Sequence, residues 1–570
     1  MQARDTYTSL AVALLFLAGA VFYLSNGYTE MMGSDMWWHI AAGRELLQTG
    51  TLWMVDDWSY TAFGKDWLNH EWLSDIIYYQ WVSLWGVESL VYWKWLVIIA
   101  TFGILQLALA RYSGDHIAAL LCSGIAIAIA APFLDVRPHL YSLLNFSILL
   151  WLLLGRQARL WALALLFFVW VNLHGGFFFG LMAAGILVFP WRNFSLATLR
   201  TAMLIGVVCL LASALNPSGI GTFLYPLKYA FDETSPFRQL GEWLSPFKPG
   251  GITSPLFFIF MWAPLLGLGY FIPRVRKSVD LPIEGILLTA LTLAMALTSR
   301  RFIPLFGMSL AVMLAPLLAY AFNSLSLRRY ALPISLVALV FAFSRAAPYP
   351  LKAGPAFHYL VAEYSYPVDM LNYIETNNIQ GKVYALYNWG GYIHWRVDGD
   401  LKVFMDGRAD TIYDAQTYYD YTHVLASRPG WIELVENSGA EYMLWPHLGK
   451  GGQQKLQQLL ATGRWRPVYR DAVGWLLAKN TTALATDLQS SPETPWRDMS
   501  AAQISAWSGK PDTAIAYANK VREALPWHMS ACNVLAEIYI ERGDTEKADT
   551  LLQDCSSYFP SRYLRQLAAP

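Results

Sequence analysis

Residues 33–75 read GSDMWWHIAAGRELLQTGTLWMVDDWSYTAFGKDWLNHEWLSD. The stretch is crowded with carboxylates, imidazoles and indoles. On either side the chain turns apolar, at 9–25 and again at 89–110. A polar segment hung between two apolar runs of membrane-crossing length reads as an extramembrane loop. Further apolar runs follow at 116–134, 141–154, 160–172, 177–190, 201–215, 255–272, 282–298, 303–322 and 331–344, which makes eleven candidate spans. From about residue 347 the sequence becomes that of an ordinary soluble protein. The predicted architecture is a polytopic α-helical membrane protein with a water-exposed C-terminal region.

Composition agrees. The 570 residues are 55% hydrophobic and 14% charged, against roughly 25% charged in an average soluble domain. The 25 tryptophans and 32 tyrosines are the ring types that favour membrane interfaces. Net charge is zero, so no basic field points to nucleic acid. Cys122, Cys209, Cys532 and Cys555 are too few for a disulfide framework and lack zinc-finger spacing. The run at 9–25 has no small-residue cleavage site close behind it and reads as a retained first helix.

Basic residues set the orientation. With a cytoplasmic N-terminus, the inside loops hold Arg111, Arg156, Arg159, Arg192, Arg200, Arg274, Arg276, Lys277, Arg328 and Arg329. Eleven spans then put the C-terminal region outside, in the periplasm of a bacterial cytoplasmic (inner) membrane or its equivalent. Two outside loops are long, 26–88 and 216–254, and long ordered loops usually carry function.

In the first loop Asp35 stands where a helix would start, ahead of an amphipathic run to about Leu47, and an acidic residue there suits the helix dipole. Capping alone explains Asp35. The functional reading adds its company: His39 one turn on, then Asp56, Asp57, His70 and Glu71, a set able to bind a divalent metal or serve as general base. Other polar residues fall at the outer ends of spans: Arg137 and His139, His174, Asn216, Glu242, Arg300 and Arg301. Singly, each reads as a snorkelling or anchoring residue. Together they lie at one face, where ionisable groups are costly and functional. Guanidinium and carboxylate groups at an outer membrane face suit a phosphate-linked lipid.

The first loop resembles that of the GT-C fold glycosyltransferases. In oligosaccharyltransferase catalytic subunits an acidic residue after the first span precedes aromatics and a His or Asn, and Asp35, Trp37, Trp38 and His39 match that pattern. Asp56, Asp57, Tyr60 and Gly64 echo a second acidic stretch. Protein mannosyltransferases share the general plan. Met36 replaces the common Pro, and no WWDYG-type acceptor motif occurs in the C-terminal region. The resemblance implies transfer of a sugar or glycan from a polyprenyl-phosphate-linked donor. It implies Asp35, His39 and Glu71 as catalytic residues, and Arg137, His139, His174, Arg300 and Arg301 as donor-phosphate ligands. His70, Glu242, Trp389 and Tyr392 would meet sugar or acceptor. Asp35 and Glu71 would hold a divalent metal, Mg or Mn.

The expected domains are a GT-C-like membrane domain at 1–346, with its large first outer loop at 26–88, an extracytoplasmic α/β domain at 347–480, and helical repeats at 495–570. In the α/β domain YNWGGYIHW (387–395) is expected to form a turn exposing Trp389 and Tyr392 to a sugar. Asp406, Arg408 and Asp410 read equally as a salt-bridged turn. In the last part Gly509, Ala514 and Pro526 recur as Gly543, Ala548 and Pro560, each 34 residues later. That period resembles tetratricopeptide repeats, which bind protein segments. Cys532 and Cys555 fall on the two helices of one such unit, where they are able to pair.

Two other functional classes remain. One is a non-catalytic membrane scaffold for envelope polysaccharide or glycoprotein assembly, which would tolerate loss of Asp35. A transporter would need polar residues at mid-membrane and internal repeats, and neither is evident.

Overall fold

The computed structural model describes residues 8–29, 35–67, 69–154, 159–219, 221–223, 236–361, 365–447 and 449–558. Arg156 and Pro560 lie outside them. The chain divides into two compact units. One comprises Met1–Thr29, His70–Ser74 and Leu90–Ala347; the other comprises Glu30–Asn69, Asp75–Ser89 and Pro348–Pro570.

The first unit is helical. Among the described residues six helices are long and apolar enough to cross a membrane: Ser9–Asn26, Val87–Ser113, His116–Phe133, Leu196–Ser213, Arg300–Ser324 and Leu327–Ala346. Shorter apolar helices occur at His139–Leu154, Leu160–Leu173, Phe177–Val188, Pro255–Phe271 and Ile283–Thr298. The chain is a multi-pass membrane protein. Lipid is as apolar as leucine, so such helices associate through close packing and internal polar bonds. Both occur here. Gly307 lets the Ile303–Ser324 helix approach so closely that a Cβ there would sit 3.0 Å from the Ala126 carbonyl oxygen. Tyr23 Oη donates to Gln106 Oε1 at 2.8 Å and lies 2.6 Å from Ser123 Oγ, tying three helices together. The Leu327–Ala346 helix instead leaves Val337 and Val340 exposed, as a lipid-facing helix does.

The second unit holds a five-stranded sheet. Its strands are β3 (Gly381–Ala385), β4 (Leu401–Val403), β5 (Tyr442–Pro446), β6 (Trp465–Arg470) and β7 (Gly474–Lys479), in the order β4-β3-β5-β7-β6. β3 runs parallel to β4 and β5, and β7 runs antiparallel to β5 and β6. A two-stranded ribbon, β1 (Met54–Val55) and β2 (Asp66–Trp67), comes from the first long loop. Next to it Ser59 bridges Val403, so the loop covers the β4 edge, which would otherwise present unpaired backbone groups. Within the loop, Glu30–Asn69 and Asp75–Ser89 group with the C-terminal unit, and His70–Ser74 group with the membrane unit.

YNWGGYIHW is helical, within Tyr387–Val397, and not a turn. Trp389 and Tyr392 are buried, and the indole N–H of Trp389 donates to the Ser365 carbonyl. The glycines serve packing: a Cβ on Gly391 would come within 2.9 Å of the Trp38 backbone, and one on Gly390 within 2.9 Å of Asp406 Cα. Trp37 is likewise buried, edge-on to Tyr366 and Tyr392, and is not a membrane-interface anchor.

Four helices end the described chain: Pro495–Trp507, Pro511–Ala524, Met529–Glu541 and Thr545–Tyr558. Gly509 and Gly543 both have positive φ just past a helix end, where an L side chain would be strained. Cys532 and Cys555 are disulfide-bonded with Cα atoms 6.5 Å apart.

Candidate functional site

In the membrane unit the polar residues from separate connections meet. The short segment 70–74 is fixed first. Trp72 Nε1 donates to Asn172 Oδ1 at 2.9 Å, and Ser74 Oγ donates to the Leu173 carbonyl at 2.6 Å. This sets Glu71 beside the end of the Leu160–Leu173 helix. Its Oε1 lies 3.8 Å from His70 Nε2 and 3.6 Å from His174 Nε2. Gly176 makes the turn after His174 possible, because a Cβ there would collide with Ser142 Oγ.

A second group centres on Glu242. Arg137 Nη1 donates to its Oε2 at 2.7 Å, and Arg301 Nη1 lies 3.7 Å from its Oε1. Arg301 N–H donates to the Glu242 carbonyl, which locks the two loops together. The Arg301 guanidinium stacks on Trp243 at 4.0 Å. With side-chain exposures of 27% and 28%, Arg301, Arg137 and Glu242 are half-buried, so the group is accessible from outside the helices. Beside it His139 Nε2 donates to the Phe133 carbonyl at 2.6 Å and lies 3.5 Å from Asp135 Oδ1.

The electrostatics follow from this crowding. Burial alone would raise the Glu242 pKa, but Arg137 and Arg301 override it and hold the carboxyl down at about 2. Burial also pushes His174 well below the usual imidazole range, and Arg301, His139, His70 and Arg137 push the same way. Glu242 is therefore ionised and His174 neutral at pH 7. Two guanidiniums share the Glu242 carboxylate, and two further carboxylates, Glu71 and Asp135, lie at the edge of the group.

Arg300 stands apart from this group. It is fully buried and donates to the Gly241 and Lys248 carbonyls, so it anchors the loop that carries Glu242. Asp135, Asp75 and Ser142 join the polar networks without having been singled out in the sequence; Asp135 was readable as an acidic residue beside the VRPHL stretch.

In the other unit Asp35 opens the Asp35–Thr49 helix. Its carboxylate lies over Gly407, where an added Cβ would come within 2.9 Å of Oδ1. His39 is buried, with Nδ1 2.6 Å from Asp75 Oδ1, and Asn69 donates to the other Asp75 oxygen at 2.7 Å.

Among the described residues no group of three or more His, Cys, Asp or Glu side chains is arranged to hold a metal. The His174 nitrogen facing Glu71 keeps its proton, because Nδ1 accepts the Gly176 N–H, and a protonated nitrogen has no lone pair to give a metal.

No family model and no curated protein matches the sequence. Among solved structures the chain is similar to the archaeal oligosaccharyltransferase AglB from Archaeoglobus fulgidus, in complex with an inhibitory peptide and a dolichol-phosphate. Identity is 12% and the TM-score 0.53, with 77% of this chain and 69% of that chain covered. The chain thus has a fold like that of this oligosaccharyltransferase. Identity this low speaks to the fold alone.

Proposed function

We propose that this protein transfers a sugar or glycan from a polyprenyl-phosphate-linked donor to an acceptor at the outer face of the cytoplasmic membrane. The observation that carries the reading is the opening where Arg137 and Arg301 share Glu242 beside His139, His174 and Glu71. A forked, permanently charged guanidinium matches phosphate oxygens. A partly exposed pair of guanidiniums offers N–H groups to an anionic headgroup.

In the reaction the acceptor attacks the sugar carbon bonded to the phosphate oxygen. That bond breaks, and its electron pair leaves with the phosphate. Arg137 and Arg301 stabilise the charge that develops there. A carboxylate, Asp35 in our assignment, takes the acceptor's proton. Glu71 and His70 lie beside the arginine group and would meet the sugar, while Arg300 supports the loop from behind. Trp389 and Tyr392 are packed inside the second unit, so we assign them no sugar contact.

All eleven apolar stretches are read as spans, with the N-terminus cytoplasmic. The contacts support this. Arg328 pairs with Asp115 at 2.8 Å and Arg192 with Glu284 at 3.3 Å, joining connections assigned to the inside. The residues that meet around Glu242 all come from connections assigned to the outside. A disulfide in the last helices suits an oxidising outer compartment. Those helices, read as a short repeat, would dock a protein partner.

The test is binding of a polyprenyl monophosphate to the purified protein in nanodiscs. Arg137→Ala and Arg301→Ala should each weaken binding at least about tenfold, the loss of one charge-assisted contact. Unchanged binding in both variants would sink the reading.

A further inference from the structure

His174 sits at the end of the Leu160–Leu173 helix, and the surroundings of both its ring nitrogens are defined. Nδ1 accepts the Gly176 backbone N–H at 3.0 Å. An amide N–H only donates, so Nδ1 must present a lone pair there. Nδ1 also lies 2.7 Å from Ser142 Oγ. That hydroxyl receives the Trp170 indole N–H at 2.8 Å, and an indole also only donates. Because Nδ1 presents its lone pair to Gly176, the Ser142 hydroxyl is the donor in its contact with Nδ1 while its oxygen accepts from Trp170. Trp170 has no solvent exposure and Ser142 has 6%. A neutral imidazole whose Nδ1 is an acceptor carries its proton on Nε2.

We propose that Trp170 and Ser142 are positioning residues that, with the Gly176 amide, fix His174 as its Nε2–H tautomer. The imidazole then meets the donor phosphate as a hydrogen-bond donor and not as a base; this rests on the phosphate reading of the opening given above. The geometry places Nε2 on the side of the ring away from Ser142 and Gly176, 3.6 Å from Glu71 Oε1. The alternative tautomer would turn a lone pair towards an anionic oxygen and repel it. Gly176 supplies both an N–H and the room for Ser142 to reach the ring, because any side chain there would strike Ser142 Oγ.

The test uses the full-length protein in nanodiscs with nitrogen-15-labelled histidine. The His174 signals are identified by their loss in His174→Gln. We expect Nδ1 unprotonated and Nε2 protonated in the wild type, and a shift of the Nε2 signal on adding decaprenyl monophosphate. Ser142→Ala should bring in a population protonated at Nδ1 and weaken decaprenyl monophosphate binding at least about tenfold, the scale of losing one aimed donor. Trp170→Phe removes the indole N–H and should move the spectrum the same way, so it serves if Ser142→Ala does not fold. A wild-type His174 protonated at Nδ1, or variant spectra identical to wild type, would overturn the relay. The expected tautomer together with no response to decaprenyl monophosphate would overturn the phosphate as its ligand while leaving the tautomer assignment intact.

Discussion

Asp56 Oδ1 and Arg408 Nη2 lie 2.6 Å apart, and neither side chain has any solvent exposure. The two residues are far apart in sequence, one in the first long loop and one in the sheet domain. Asp406 holds the same guanidinium at 2.8 Å, Trp58 stacks on it at 4.2 Å, and Tyr413 Oη donates to Asp406. The group is a clasp that closes the loop onto the sheet.

Breaking such a clasp leaves buried carboxylates unpaired. Arg408→Ala should destabilise the second unit by about 3–5 kcal/mol. Arg408→Lys should rescue little, because an ammonium cannot reproduce the fork. Thermal unfolding in detergent would check both. An Arg408→Ala protein that melts with the wild type would show that the clasp is not structural.

Much of this was legible in the sequence, for stated reasons. Apolar runs are a strong signal when backbone groups must be satisfied within the membrane, and helices lie at each of the stretches read as spans. Asp35 opens its helix because a carboxylate favours that position. Gly509 and Gly543, read from the sequence only as repeat positions, fall just past helix ends, where positive φ selects glycine. Other features were illegible. The glycines of YNWGG resemble a turn when read locally, and only the close approach of Trp38 and Asp406 shows that they are there for packing. Asp75 was not singled out in the sequence, because its bond to His39 depends on tertiary structure. Arg300 and Arg301 are adjacent and chemically identical, yet one anchors backbone and one faces the opening.

The disulfide carries a stability prediction. It closes a separation of 23 residues, for which chain entropy gives about 3 kcal/mol. Cys555→Ser should therefore lower the stability of the terminal helices by roughly that amount. Limited proteolysis of that region would show it, with wild-type protein under reductant behaving like the variant. Equal resistance of oxidised and reduced wild type would argue against a stabilising bond.

His528 carries a pH prediction. Burial, with His358 adding to it, lowers its pKa to about 4 in the folded state. The unfolded chain, with an ordinary value near about 6.5, binds the proton first. Stability is then complete above that value, falls with pH through the window, and reaches its floor near pH 4. The contribution is on the order of 3 kcal/mol. His528→Asn keeps a residue able to cap the Met529–Glu541 helix and removes the titration, so its unfolding should depend less on pH between 6.5 and 4. An identical pH dependence in the variant would remove His528 from this role.

The central claim is that this chain is a transferase with Asp35 as its catalytic carboxylate. The most direct measurement is sugar transfer from a polyprenyl-phosphate-linked donor by purified wild-type and Asp35→Asn protein in nanodiscs. Asparagine keeps the shape and removes the charge. The account predicts a well-folded variant with transfer reduced by about 10²–10⁴-fold, the usual contribution of a general base. A folded Asp35→Asn protein that transfers sugar at the wild-type rate would contradict it.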